Sequence, residues 1–169
     1  MKKGVIIIGL GNHVQNKIIP ALNNLKIPII GIITNNHEFK TDCKKYKNIK
    51  DLLLNNLDFK IILAHEPKNH IKLINDLPVS KSSILVEKPL LTNIQDIENY
   101  RNIFHKHEIT EAMMYRFGKS FDEIKSFFDK NKKSITEINL KFLIPITFNE
   151  IKNNFRGAYN NKSNIIYEI

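Results

Sequence analysis

The chain has 169 residues, 42% of them hydrophobic, and one cysteine. This length fits one domain with a fragment of a second, and the single cysteine excludes an internal disulfide framework and is typical of a reducing, cytoplasmic environment. The formal charge of +9 comes from lysines and arginines spread along the whole chain, which argues against a nucleic-acid partner, and no apolar run approaches the roughly 20 residues of a membrane span.

The first residues, GVIIIGLGNHV (Gly4–Val14), allow two interpretations. Two lysines followed by an apolar run could open a secretory signal, which needs about 7 to 15 uninterrupted apolar residues. The run breaks after Ile8 into Gly-Leu-Gly-Asn-His, so the signal is excluded. Apolar residues then recur every three or four positions to Leu25, which predicts a helix. A strand, a glycine turn and a helix form the context of a dinucleotide-binding fingerprint.

The glycine turn suits a phosphate chemically. Gly9 permits the sharp bend after the strand, and Gly11 lets the backbone approach a pyrophosphate, while the helix that begins near His13 directs its free N–H groups at the phosphates. Val14 stands where the GxGxxG pattern has its third glycine, and we expect it to push helix and strand slightly apart or to weaken nucleotide binding. The turn alone is equally compatible with a purely structural role.

Strand-like apolar runs alternate with helical patterns along the rest of the chain. Further strands are predicted at 27–34, 59–65, 82–88 and 108–117. Helices are predicted at 67–77, about 92–106 and 120–128, and a short helix or loop followed by a helical turn is predicted at 37–56. The alternation predicts an α/β fold with a doubly wound parallel sheet, which binds its ligand at the carboxyl ends of the strands. The residues at those ends are Gly9, Thr34, Ala64 with His65, and Glu87 with Lys88.

The stretch LVEKPLLTNIQDIENY (85–100) resembles the Glu-Lys-Pro signature of the Gfo/Idh/MocA oxidoreductases, NAD(P)-dependent enzymes that act mostly on sugars and cyclitols. Three other stretches resemble the same family: VIIIGLGNHVQNKIIPAL, IILAHEPKNHIKLI with a matching histidine at His70, and EAMMYRFGKSFDEIKSFF. The resemblance implies a Rossmann domain over residues 1–118. Residues 119–169 would form a connecting helix and the incomplete start of an α+β domain, in which the alternating SITEINLKFLIPI (134–146) would be the first strand.

The resemblance also implies a nicotinamide dinucleotide, NAD or NADP, and assigns residues to it. Gly9 and Gly11 would contact the pyrophosphate, with Asn12 and His13 beside it on the turn. Thr34 and Asn35 would lie by the adenosine ribose, where many NAD-preferring members have an acid. Because this chain has neither an acid nor an arginine there, the choice between NAD and NADP stays open.

Lys88 is the predicted catalytic residue. An ammonium group at a strand end beside the nicotinamide can hydrogen-bond the substrate oxygen and stabilise developing charge. Glu87 would orient Lys88 and Pro89 would fix the turn, and all three are assigned to the cofactor site. A surface Glu-Lys pair before a turn proline is the alternative interpretation.

Three other assignments on the same edge are less specific. Ala64 and His65 are also placed at the cofactor, although His65 replaces a small hydroxyl residue that is usual in the family. His70 could equally cap its helix or touch a ligand. No metal site is predicted.

The implied reaction is hydride transfer between the nicotinamide and a hydroxyl or ketone of a small sugar or cyclitol. In the family, a stretch like NNFRGAYNNKSNIIYEI (153–169) leads into a Gly-any-His segment that supplies a catalytic histidine and is not found here. We therefore expect these 169 residues to bind nucleotide without appreciable turnover, so whether they form an enzyme stays open. Unpaired edges of the strand at 134–146 would favour self-association. The alternative is a non-catalytic nucleotide-sensing or partner-binding module.

Overall fold

The computed structural model describes residues 4–35, 42–53, 59–77, 82–139 and 141. The chain divides into two compact units, Met1–Ala112 and Met113–Ile169. The first unit contains one six-stranded sheet. Its strands are β1 (Gly4–Ile8), β2 (Ile29–Ile33), β3 (Lys45–Tyr46), β4 (Phe59–Leu63), β5 (Ser83–Val86) and β6 (Glu108–Glu111).

All pairs of neighbouring strands are parallel, in the spatial order β3-β2-β1-β4-β5-β6. From β1 the chain builds outward through β2 and β3 on one side, and through β4, β5 and β6 on the other. The order therefore reverses between β1 and β4, which opens a crevice at the carboxyl ends of these two strands. The predicted doubly wound parallel sheet is confirmed.

Helices cover both faces of the sheet because successive strand residues point to opposite sides. On one face Ile6 and Ile8 pack with β4 and β5 residues and with helix α3 (His70–Asn75) and helix α4 (Gln95–Phe104). On the other face Val5 and Ile7 pack with a helix that starts as a π-helical turn (Val14–Ile18) and continues as α1 (Ile19–Asn24). This burial on both faces explains why β1 is apolar at every position after Gly4.

Several predicted boundaries are corrected. The stretch 37–56 contains β3, which the sequence pattern did not reveal, followed by α2 (Ile49–Leu53). The sixth strand ends at Glu111 instead of Phe117, because Met114–Phe117 forms a 3₁₀ turn. Pro67 begins a second 3₁₀ turn, Pro67–Asn69, as its fixed backbone angle allows at the first position of a helix.

The second unit contains the turn Met114–Phe117 and helix α5 (Lys119–Asn131). The apolar residues of α5 recur at helical spacing, yet all are at least 37% exposed: Phe121, Ile124, Phe127 and Phe128. Residues 135–139 and 141 are not in a strand, so the strand predicted at 134–146 is wrong over those positions, and 140 and 142–146 lie outside the described residues. Among the described helices, none has the length and apolar character to cross a membrane.

Candidate nucleotide-binding site

The residues that follow the strands form one row along the carboxyl edge of the sheet. Each donates its backbone N–H to the last residue of a neighbouring strand, so the strand ends are in register. The bonds, in spatial order, are Thr34 to Tyr46 (3.3 Å), Gly9 to Ile33 (2.9 Å), Ala64 to Ile8 (2.8 Å), Glu87 to Leu63 (2.8 Å) and Ala112 to Val86 (2.7 Å). The strand-end residues identified from the sequence therefore lie side by side at the crevice.

Gly9 and Gly11 have different structural reasons to be glycine. Gly9 has a φ of +101°, and a Cβ there would overlap the carbonyl oxygen of Ala64 and lie 2.8 Å from the carbonyl carbon. A Cβ on Gly11 would have no heavy atom within 4 Å. Gly9 is thus required by the fold itself, whereas Gly11 leaves open space above the turn, which is where a ligand would need room.

The helix after the turn begins at Asn12 and His13, both exposed, and then buries Val14. Val14 is 1% exposed and packs with Val5, Ile7 and other apolar residues between helix and sheet. The valine therefore makes the helix–strand contact for which the fingerprint normally uses its third glycine. The stretch Val14–Ile18 of this helix is π-helical, with the N–H of Ile19 bonded to the carbonyl of Val14.

His65 is exposed at the end of β4, and its hydrogen bonds define its tautomer. The backbone N–H of Glu66 donates to His65 Nδ1 at 2.8 Å. Because Nδ1 is the acceptor, the neutral ring carries its proton on Nε2. The Asn69 amide nitrogen also lies 3.2 Å from Nδ1. His65 thus accepts a hydrogen bond from a neighbouring backbone N–H, as a serine or threonine hydroxyl does in a turn. This bond accounts for how a histidine can replace a small hydroxyl residue at this position.

The loop Glu87–Leu90 is attached to several neighbouring elements. The Glu87 carboxylate lies 3.2 Å from His13 Nε2, and the backbone N–H of Leu90 donates to Glu111 Oε1 at 2.7 Å. Lys88 is half-buried between these attachments, and the Lys88–Pro89 peptide bond is cis. The loop that carries the predicted catalytic lysine is therefore held at both ends.

The pair His13 and Glu87 joins the helix after β1 to the end of β5. Since β4 lies between β1 and β5 in the sheet, this contact crosses the carboxyl end of β4. The side chains are 48% and 21% exposed respectively. The predicted role of Glu87 is to orient Lys88; in the structure its carboxylate contacts the His13 ring.

His70, the first residue of α3, is fully buried. Its Nδ1 lies 3.1 Å from the carbonyl oxygen of Pro89, and its Nε2 lies 2.9 Å from that of His65. Burial lowers the pKa of His70 and is the largest influence on it; the two carbonyl bonds and the charge of Glu87 raise the pKa, and His65 lowers it. His70 therefore neither caps α3 nor faces open solvent, but joins the loops after β4 and β5.

A cavity of about 200 Å³ lies on the opposite side of the crevice. Thr34 and Asn35 line it together with Lys47, which follows β3, and His65 and Asp76 also contribute. The two residues predicted beside the adenosine ribose thus share a cavity with an ammonium group. Tyr46, buried next to Lys47, places this end of β3 against β2.

The comparisons with known proteins agree with this geometry. A family model described as an oxidoreductase family with an NAD-binding Rossmann fold, GFO_IDH_MocA, matches residues 3–116. The chain belongs to this family. No curated protein sequence matches the chain.

Solved structures resemble this Gfo/Idh/MocA chain in fold. D-galactose-1-dehydrogenase from Rhizobium etli superposes with a TM-score of 0.64 at 15% identity, over 75% of this chain and 42% of that one. The WlbA dehydrogenases of Bordetella pertussis, with NADH and UDP-GlcNAcA, and of Thermus thermophilus, with NAD and UDP-GlcNAcA, give TM-scores of 0.60 and 0.62 at 15% and 12% identity. They are matched over 78% and 77% of this chain and 43% and 47% of their own. The chain thus spans less than half the length of these proteins.

The turn fits the dinucleotide that the family description implies. The open space at Gly11 and the start of a helix at the exposed residues Asn12 and His13 provide what an anionic pyrophosphate needs. Within the described ranges, no three His, Cys, Asp or Glu side chains are grouped so as to hold a metal ion.

Sequence reasoning missed two site residues. Glu111 ends β6 and accepts from the backbone of the Lys88 loop, and Lys47 lines the cavity beside Thr34. Glu111 was missed because the sequence pattern predicts that its strand runs to Phe117, which places Glu111 inside the strand, whereas β6 ends at Glu111. Lys47 was missed because a two-residue strand has no measurable periodicity.

Proposed function

We propose that the crevice binds NAD(H) or NADP(H) and that Lys88 is its catalytic residue. The observation that carries the proposal is the open space at Gly11, next to the row of strand ends. A structural turn would not need that space, and Gly9 alone would satisfy the bend. The pyrophosphate would be held by Gly9, Gly11 and the backbone of Asn12 and His13.

The other residues divide between the two ends of the dinucleotide. Thr34 and Asn35 would hold the adenosine ribose by their polar groups. Ala64, His65, Glu87 and Pro89 would border the nicotinamide, which when bound accepts or releases a hydride. Lys88 would donate a hydrogen bond to the substrate oxygen and stabilise the charge that develops on it.

The substrate class we propose is a sugar or cyclitol with a hydroxyl or ketone group. It is supported by the printed names of the structural relatives, which include a galactose dehydrogenase and two dehydrogenases solved with a nucleotide sugar. We further propose that the 169 residues bind nucleotide only, since the chain spans less than half of those proteins. A nucleotide-sensing or partner-binding module is the second candidate, because the apolar face of α5 is exposed.

Thermal unfolding tests the nucleotide proposal directly. A nucleotide present at about 100 times its Kd should stabilise the chain by about 2.7 kcal/mol, which corresponds to roughly 5–10 °C in Tm. Gly11→Val should abolish the rise without lowering the Tm of the nucleotide-free protein. Gly118→Val is the matched control, because Gly118 also has only ordinary contacts around its missing Cβ but belongs to the second unit. An equal rise in Gly11→Val, or none with any of the four nucleotides, would contradict the proposal.

Hydride transfer separates the enzymatic and non-catalytic candidates. Reduction of NAD or NADP by galactose, nucleotide sugars and inositols can be followed by the absorbance of the reduced nicotinamide. We expect nucleotide binding without turnover. A rate on the order of 1 per second would be ordinary for an enzyme and would show that the 169 residues are a dehydrogenase by themselves.

A further inference from the structure

His70 has a hydrogen-bonding environment that packing alone does not require. Both ring nitrogens face carbonyl oxygens, that of Pro89 at 3.1 Å and that of His65 at 2.9 Å, and the side chain is fully buried. A carbonyl oxygen can only accept, so each bond requires an N–H on the ring. A neutral imidazole has one N–H and an imidazolium has two. The protonation of the ring therefore determines whether it can donate to Pro89, to His65 or to both.

The bond to Pro89 lies at the centre of the loop that carries Lys88. Glu87 is attached to β4 through its N–H, and Leu90 to β6 through Glu111. Between them, Pro89 has no N–H, and its carbonyl is therefore its only backbone hydrogen-bonding group. The Pro89 carbonyl and the Leu90 N–H belong to one planar peptide unit, so His70 and Glu111 together restrain the unit that follows Pro89, one residue beyond Lys88.

We propose that His70 is a positioning residue for Lys88: its Nδ1–H donates to the carbonyl of Pro89 and holds the Lys88–Pro89 turn against the loop after β4. His70 itself does not touch the nucleotide. The consequence for catalysis by Lys88 rests on the proposed function. The effect of His70 on the position of the Lys88 side chain does not depend on it. The proton on Nδ1 is the feature that distinguishes this role from simple filling of the core.

The first test needs neither nucleotide nor mutation of the histidine. Long-range ¹H–¹⁵N spectra of the wild-type chain, with the His70 signal assigned from backbone correlations, show which ring nitrogen carries hydrogen. We expect Nδ1 of His70 to carry a hydrogen near neutral pH. An Nδ1 without hydrogen would overturn the proposal, because it could not donate to Pro89.

The second test uses two variants that separate the two bonds. The amide nitrogen of asparagine occupies about the position of Nδ1 and that of glutamine about the position of Nε2. His70→Asn therefore keeps the bond to Pro89, and His70→Gln keeps the bond to His65. We expect the side-chain ¹H–¹³Cε signal of Lys88, in the nucleotide-free protein, to stay at its wild-type position in His70→Asn and to move in His70→Gln.

The nucleotide affinities of the two variants should differ in the same way as their Lys88 signals. We expect the Kd to rise about fivefold or more in His70→Gln, the usual effect of one lost hydrogen bond, and less than twofold in His70→Asn. Equal effects of the two variants on Lys88, with both folded, would mean that His70 acts only through packing and would overturn the proposal. If wild-type protein binds no nucleotide, the proposed function fails, yet the Lys88 signal and the Nδ1 proton still decide the role of His70.

Discussion

The two sides of the crevice are constructed differently. On the β5 side, side chains from other elements hold the loop after the strand: His70 from α3, Glu111 from β6 and His13 from the helix after β1. On the β2 side, Thr34 and Asn35 border an open cavity of about 200 Å³. The attached side carries the lysine that would perform chemistry, and the open side has room for the adenosine end of a nucleotide.

This difference is what catalysis would require. A catalytic group must be held within a fraction of an ångström of its working position, because misplacement reduces the rate steeply. A nucleoside pocket tolerates more freedom, since it contributes binding energy but no chemistry. Four predictions examine this comparison, from the largest expected effect to the smallest.

Gly9→Ala should have the largest effect, since Gly9 lies where the two sides meet. The positive φ and the overlap with the Ala64 carbonyl should together destabilise the chain by about 3 kcal/mol, or on the order of 10 °C in Tm. Gly11→Ala is the matched control and should change Tm by less than about 2 °C. Thermal unfolding followed by circular dichroism measures both. Similar losses in the two variants would mean that the turn is equally constrained throughout.

Glu111→Ala should have the second-largest effect, and it should destabilise the β5 side of the crevice. It removes the acceptor of the Leu90 N–H, and Leu90 is 8% exposed, so the cost should be about 1–2 kcal/mol. Glu111→Gln retains an acceptor oxygen and should recover most of that loss. Urea unfolding gives the free energies. Equal losses in the two variants would show that the carboxylate charge, and not the bond to Leu90, is important.

The buried His70 predicts a pH dependence of stability. Burial is the largest influence on the pKa of His70 and lowers it below its unfolded value. His65 also lowers this pKa, whereas the two carbonyl bonds and the charge of Glu87 raise it. The unfolded chain therefore binds the proton more readily, and the contribution to stability is complete above about pH 6.5 and is lost as the pH falls toward the folded pKa. One proton gives a slope of at most about 1.4 kcal/mol per pH unit.

Urea unfolding between pH 5 and pH 8 measures that slope for the wild type and for His70→Gln, which does not titrate. The variant should be less stable at pH 8 but have the smaller slope below pH 6.5. An unchanged slope would assign the acid sensitivity to the other histidines.

Lys47→Ala should have the smallest effect and should act on the open side alone. An ammonium group lining the cavity with Thr34 favours an extra phosphate at the ribose, although Asp76 in the same lining opposes it. We expect the Kd for NADPH to rise about threefold and the Kd for NADH to remain within a factor of two, with no change in Tm. Lys45→Ala, in the strand β3 that Lys47 follows, is the lysine control. Equal losses of affinity for NADPH and NADH would show that Lys47 does not contribute to the choice between the two cofactors.

The sheet and its carboxyl edge could be predicted because their signals are local. Apolar runs such as 59–63 and the spacing of residues in the helices are properties of a few consecutive residues, and they correctly located five of the six strands. The pair Lys45–Tyr46 is too short for any period, and its pairing with β2 forms only in the assembled sheet. The boundary of the sixth strand failed because the apolar Met113 and Met114 resemble strand residues locally.

The sequence by itself determined the α/β class, the glycine turn, the carboxyl ends of β1, β2, β4 and β5, and the Glu-Lys-Pro segment, because each depends on the order of neighbouring residues. Only the tertiary structure decided that Glu87 pairs with His13, that His70 joins two loops and that Glu111 holds Leu90. His70 and Pro89 are 19 residues apart and Leu90 and Glu111 are 21 residues apart. Such pairs have no periodic signal along the chain, since the parallel sheet creates them by aligning the ends of its strands.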